Sequence, residues 1–302
     1  MSEDQPKITT LGRFVDRVSQ IRKEWGIDEQ KELWFRGEGE KHERSILRPA
    51  LYRPPKGGSA MREIAQLLNI ECELYEEFQR CGAQLLGEKM QVEDQDWDWY
   101  FLMRHHDAPT RLLDWADGAM IALHFALNSK TKDALRDPKA KEHCKPRVYV
   151  LGPDRLKDCL NRCSEDNRLA KERWGKYVEK HPSFKYSEDN EDEWEFAYLP
   201  ADKEEREELP IPPLPLVLDF PHITRRVAAQ RSRFVVFGED PFWLAQEYGK
   251  QDFIKIIEID PDPENITKMR IELRECGVTE SVIFPDLDGL GRELKQVWED
   301  RK

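Results

Sequence analysis

Arg104-His105-His106-Asp107-Ala108-Pro109-Thr110-Arg111-Leu112-Leu113-Asp114-Trp115 puts two imidazoles, two guanidinium groups and two carboxylates into one short stretch. It runs directly into the apolar segment Ala119-Met120-Ile121-Ala122-Leu123-His124-Phe125-Ala126-Leu127. Polar groups this dense beside core-forming sequence must be satisfied by one another, by backbone or by a ligand. The stretch is therefore the first candidate for a site. Pro109 biases Ala108 away from helix. Asp114 is placed to cap a helix entering at Ala116 and to receive Arg111 or Arg36. Capping with an ion pair is a purely structural account of that carboxylate.

On either side, hydrophobic periodicity divides the chain into helices and strands. Leu11, Phe14, Val15, Val18, Ile21 and Trp25 mark an amphipathic helix over 8–25. Leu33 to Gly37 reads as a short strand, 43–58 as loop, and Ala60 to about Gln84 as a long helix. Asp96–Arg104 and Gly118–Asn128 read as shorter helices. Strands are expected at 147–151, 233–237 and 253–259, and order resumes at 214–218. Helices follow from Pro263 to Cys276 and from Leu287 to Trp298, with a capped turn at Phe284–Gly289 between them. The sum is α+β: a single mixed-sheet domain with peripheral helices. Its parts are an N-terminal helical segment at 1–29 and a domain at 30–300, with a charged insertion at about 154–208.

Among 302 residues, 39% are hydrophobic and 36% charged, enough apolar content for a core under a highly charged surface. The net charge of −12 disfavours generic nucleic-acid binding, which needs a basic face. Much of the acid lies in 188–193 and 202–208, read as a solvated segment or a dock for a basic partner. Six cysteines are scattered without a metal-ligand pattern, so no metal is expected. Neither a signal core nor a membrane span is visible, and a cytoplasmic protein without membrane contact is expected.

Trp34-Phe35-Arg36-Gly37 resembles the signature of the FRG domain family. The segment 105–115 is similar to that family's His-His-Gly-x-Pro-Thr-Arg-Leu-Leu-Asp-Trp block, with Asp107 in place of the usual Gly and Ala116 in place of a usual Thr. Arg225 to Phe234 is similar to its Arg-Ile-x-x-Gln-x-Gly-x-Phe block, with Arg231-Ser232 where a Gly is common. Phe284 to Leu290 resembles its closing signature. The family implies a fold unit and a site without a reaction.

A second resemblance, to mono-ADP-ribosyltransferases, lies in order and spacing. Arg36 stands on an early strand, Thr110-Arg111 runs toward the helix Ile121 to Ala126, and Gln230 precedes the strand Arg233-Phe234-Val235. This resemblance implies an ADP-ribosyltransferase-like core with NAD as substrate. Gln230, Arg36 and His106 would be the catalytic positions, with Gly37, His105, Thr110, Arg111 and Asp114 binding substrate. Arg36 would grip a phosphate or ribose, with Gly37 allowing close approach. Gln230 would hold a ribose hydroxyl but supply no negative charge. Adjacent histidines in regular structure cannot face one ligand, so only one of His105 and His106 can serve as acid or base. The implied setting is an effector, toxin or defence protein acting on a macromolecular or small acceptor, or cleaving NAD. The alternatives are a non-catalytic module sensing a nucleotide or peptide, favoured by Gln230, and a His-dependent phosphodiesterase or nuclease, disfavoured by charge. Neither acceptor nor oligomeric state is legible.

Overall fold

The structure, a computed structural model, describes residues 7–40, 46–54, 61–85, 96–128, 144–162, 164–181, 190–218 and 228–299. Six strands form one sheet: β1 (Trp34–Glu40), β2 (Leu112–Ala116), β3 (Cys144–Leu151), β4 (Leu216–Leu218), β5 (Ser232–Val236) and β6 (Ile254–Glu258). Their spatial order is β4-β5-β2-β1-β3-β6. The helices are α1 (Leu11–Glu24), α2 (Ile64–Leu85), α3 (Asp96–His105), α4 (Ala119–Asn128), α5 (Pro153–Arg162), α6 (Ser164–Lys180), α7 (Lys203–Glu208), α8 (Trp243–Glu247), α9 (Pro263–Glu275), α10 (Glu280–Ile283) and α11 (Leu287–Glu299).

The α+β expectation holds, but the sheet is not mixed. Every pairing between these strands is antiparallel, and the parallel contact is an isolated bridge, Ile8 to Ile259. The reason is insertion: β2 and β3 run the same way on either side of α4, but β1 lies between them and opposes both. Among the described residues, no helix is long and apolar enough to cross a membrane.

Alternation along the strands divides the core. Trp34, Leu113, Trp115, Tyr149, Leu151, Val235 and Phe237 face one side and pack with Leu156 and Leu160 of α5. On the other side, Phe35, Val148 and Val150 pack under α1, α4 and α9. Leu112, Phe234 and Val236, also on that side, pack under α3 through Trp97, Tyr100 and Phe101. This second face thus carries two separate apolar clusters. Between them β2 presents Asp114, and β1 presents Gly37.

Two corrections concern the central motif. Residues 112–116 form a strand, so Asp114 lies mid-strand opposite Phe234 and caps no helix. The residues before it end α3: Asp107 N–H bonds the Arg104 carbonyl at 3.1 Å and Ala108 N–H that of Met103 at 3.1 Å. That is a left-handed helix terminus, and Asp107 has φ 63°. A glycine suits such a position, which is the physical reason a Gly fits the motif there.

Candidate functional site

β1 and β2 share a single register pair, Phe35 with Ala116, and then diverge. A cleft of about 520 Å³ opens over that divergence, a size suited to a small ligand. Arg36, Arg104, His105, Asp114, Gln230 and Phe284 are among its lining residues, with Asp107, Asp286, Asp288 and Arg292 completing the charged rim. The walls come from three strands, the end of α3, the inner face of α4 and the start of α11.

Arg36 is rooted beside Tyr149 on the other sheet face. Its guanidinium crosses the gap: Nη1 donates to the Asp114 carbonyl at 2.8 Å and Nε to Glu38 Oε1 at 3.1 Å. Among the described residues, Nη2 makes no hydrogen bond to protein. The Asp114 side chain is clamped by Arg104, with Nε 2.9 Å and Nη2 2.7 Å from Oδ2. Burial raises the Asp114 pKa, but the Arg104 charge and hydrogen bonds outweigh it and hold the carboxyl below its ordinary value. The expected partners were Arg111 or Arg36, whereas Arg104 makes the tight pair and Arg36 Nη1 lies 3.9 Å from Oδ2.

Gln230 sits in a turn, with Arg231 N–H bonded to the Ala228 carbonyl at 3.0 Å and Arg231 itself at φ 49°. The Arg231 carbonyl accepts from Asp117 N–H at 3.1 Å, which ties the turn to the end of β2. Gln230 Nε2 is buried and has no hydrogen-bond partner among the described residues. A buried amide without an acceptor is costly unless a ligand or water supplies one.

Five of the eight anticipated residues, Arg36, Gly37, His105, Asp114 and Gln230, therefore line one cleft. The other three do not. His106 is exposed and lies outside it, its ring 6.3 Å from that of Phe78 and nearly perpendicular to His105. The two rings meet edge-on at 5.1 Å, but His106, one residue past the end of α3, is exposed outside the cleft. Thr110 and Arg111 are fully buried behind β2. Arg111 donates from Nε to Glu71 Oε2 at 2.5 Å, from Nη1 to the Phe237 carbonyl at 3.2 Å and from Nη2 to the Tyr198 carbonyl at 2.5 Å. Fully buried and outside the cleft, it is held by the core. Gly37 lines the cleft but serves packing first, because a Cβ there would sit 1.7 Å from the Ala122 carbonyl oxygen of α4.

Glu71, Phe125 and Arg292 were not anticipated, and Arg104, quoted within the motif, was assigned no role. Glu71 was findable: it lies four residues from both Leu67 and Tyr75 on the apolar side of α2, where an acid needs a buried partner. Phe125 meets Phe284 edge-on at 6.0 Å, and the Arg292 guanidinium stacks 4.7 Å over Phe284. Nothing local in the sequence joins those residues. Asp286 does cap α11, accepting from Gly289 N–H at 2.7 Å, and also lines the cleft. Arg225-Arg226-Val227 and the acidic Glu188-Asp189 lie outside the described residues.

Residues 31–134 match the FRG domain, and the chain carries that domain. The matched segment supplies β1, β2, the end of α3 and α4, three sides of the cleft. No curated protein and no solved structure matches the chain.

Proposed function

We propose that the cleft binds a nucleotide, with NAD as the ligand to test first, and that it transfers ADP-ribose or cleaves NAD. One observation carries this reading. Arg36, Asp114 and Gln230, spread over nearly two hundred residues of sequence, come from or beside the neighbouring strands β1, β2 and β5 and line one cleft. Arg36 Nη2 offers a donor to a phosphate oxygen. Gln230 Nε2, without a partner among the described residues, offers a hydrogen bond to a ribose hydroxyl, and Phe125 with Phe284 offers an aromatic wall to a planar base. In the reaction the bond from ribose C1′ to the nicotinamide nitrogen breaks, and the electron pair leaves with nicotinamide. An acceptor oxygen or nitrogen then bonds to C1′, and its proton passes to His105 or to solvent.

Gln230 also favours a second reading, sensing without turnover, because an amide cannot neutralise the positive ribose of the transition state. Purified protein incubated with NAD separates the two. Nicotinamide release that disappears in a folded Gln230→Ala variant supports transfer. A thermal shift by NAD without release, abolished by Arg36→Ala, supports sensing. If NAD gives neither, both readings fall.

A further inference from the structure

The last helix, α11, is turned inside out. Its polar side faces the protein: Arg292 Nε donates to Glu280 at 2.7 Å, and Glu293 accepts from Ser281 N–H at 2.8 Å. Its apolar side faces outward, with Leu287 85%, Leu294 60% and Trp298 62% exposed and Leu290 beside them. These residues fall at i, i+3, i+7 and i+11, one continuous stripe along the helix. Gly291 lies within the stripe, and a Cβ there would meet nothing within 4 Å, so another backbone can approach closely. A surface helix that presents its apolar side to water marks an interface.

We infer that α11 self-associates, lying antiparallel against α11 of a second copy across a twofold axis. The charges flanking the stripe select this occupant. Asp288 and Lys295 lie on the same flank, two turns apart, and both are exposed. In an antiparallel pair that stacks Leu287 on Trp298 and Leu294 on Gly291 of the second copy, Asp288 faces Lys295 of that copy, and the twofold repeats the pair. In a parallel pair the flanks that carry these charges would lie on opposite sides of the dimer, and Asp288 and Lys295 would not meet. Such self-complementarity is the requirement of a twofold interface. This inference does not depend on the ligand of the cleft.

The test is the mass of the full chain by analytical ultracentrifugation over a concentration series. The expected result is a monomer–dimer equilibrium, weakened at least about tenfold by Leu294→Asp. Asp288→Lys alone weakens the dimer, and Asp288→Lys combined with Lys295→Asp restores it. Thermal melts of the variants confirm that each is folded. A chain that stays monomeric up to about 1 mM overturns the inference. So does a dimer indifferent to both the leucine and the charge exchange, or a stripe that binds only a different protein.

Discussion

Replacing Glu71 with Gln tests the buried ion pair behind the cleft. Both side chains of the Glu71–Arg111 pair are 0% exposed. Oε1 accepts from Arg111 N–H at 2.8 Å and from the Tyr100 hydroxyl, and Oε2 accepts from Arg111 Nε. In Glu71→Gln one of those oxygens becomes an NH2 group facing a donor, and the guanidinium loses its counter-charge. Burial lowers the Arg111 pKa, yet the facing carboxylate more than offsets this and keeps it above that of an ordinary arginine. An arginine side chain stays protonated in proteins, so Glu71→Gln leaves the guanidinium charged without its counter-charge. An uncompensated charge at such a site costs about 3–5 kcal/mol. At a few degrees per kcal/mol, the melting temperature falls by roughly 10 °C. Differential scanning calorimetry measures it. The paired replacement Glu71→Leu with Arg111→Met removes both charges together and recovers much of the loss. A shift below about 2 °C for the single variant, or a double variant no better than the single, would refute this account.

Three further outcomes follow from the geometry. Asp107→Gly, at φ 63°, relieves left-handed strain and stabilises the protein by about 0.5–1 kcal/mol in urea unfolding. Gly37→Ala drives a Cβ into the Ala122 carbonyl and costs at least about 3 kcal/mol, read as lost soluble protein or a steeply lowered melting temperature. The hydrogen bond from His124, with that from Arg292, draws the Glu280 carboxyl down to about 2 against the cost of burial. Its stabilisation is then complete above the unfolded carboxylate pKa and is lost as pH falls from about 5 to 2. A Glu280→Gln variant should show a flatter stability profile across that window, and an unchanged acid slope would remove Glu280 from the account.

Much of the cleft was legible because its chemistry is local to short motifs: Arg36 beside Gly37, His105 at a helix end, Gln230 before a strand. Strand β2 was not, because Leu112-Leu113-Asp114-Trp115-Ala116 is buried on both faces apart from Asp114 and lacks the alternation that announces a strand. Its apolar look merged with α4, which made Asp114 read as a cap. Arg111 read as a ligand group because its partner stands forty residues upstream, on α2. The Phe125–Phe284 wall depends on the turn at the end of α10 coming back against α4, a contact between residues far apart in the chain.

The one-pair junction between β1 and β2 also bears on how the chain can be cut. It divides the sheet into β4-β5-β2 and β1-β3-β6, and each half draws strands from early and late in the chain. A fragment trimmed to 31–134 would hold β1 without β3 and β2 without β5, two ribbons with bare edges and a single shared pair. The sheet is braided from two non-contiguous halves, and the recognisable segment is the crossing of the braid, which needs its later strands to exist as structure.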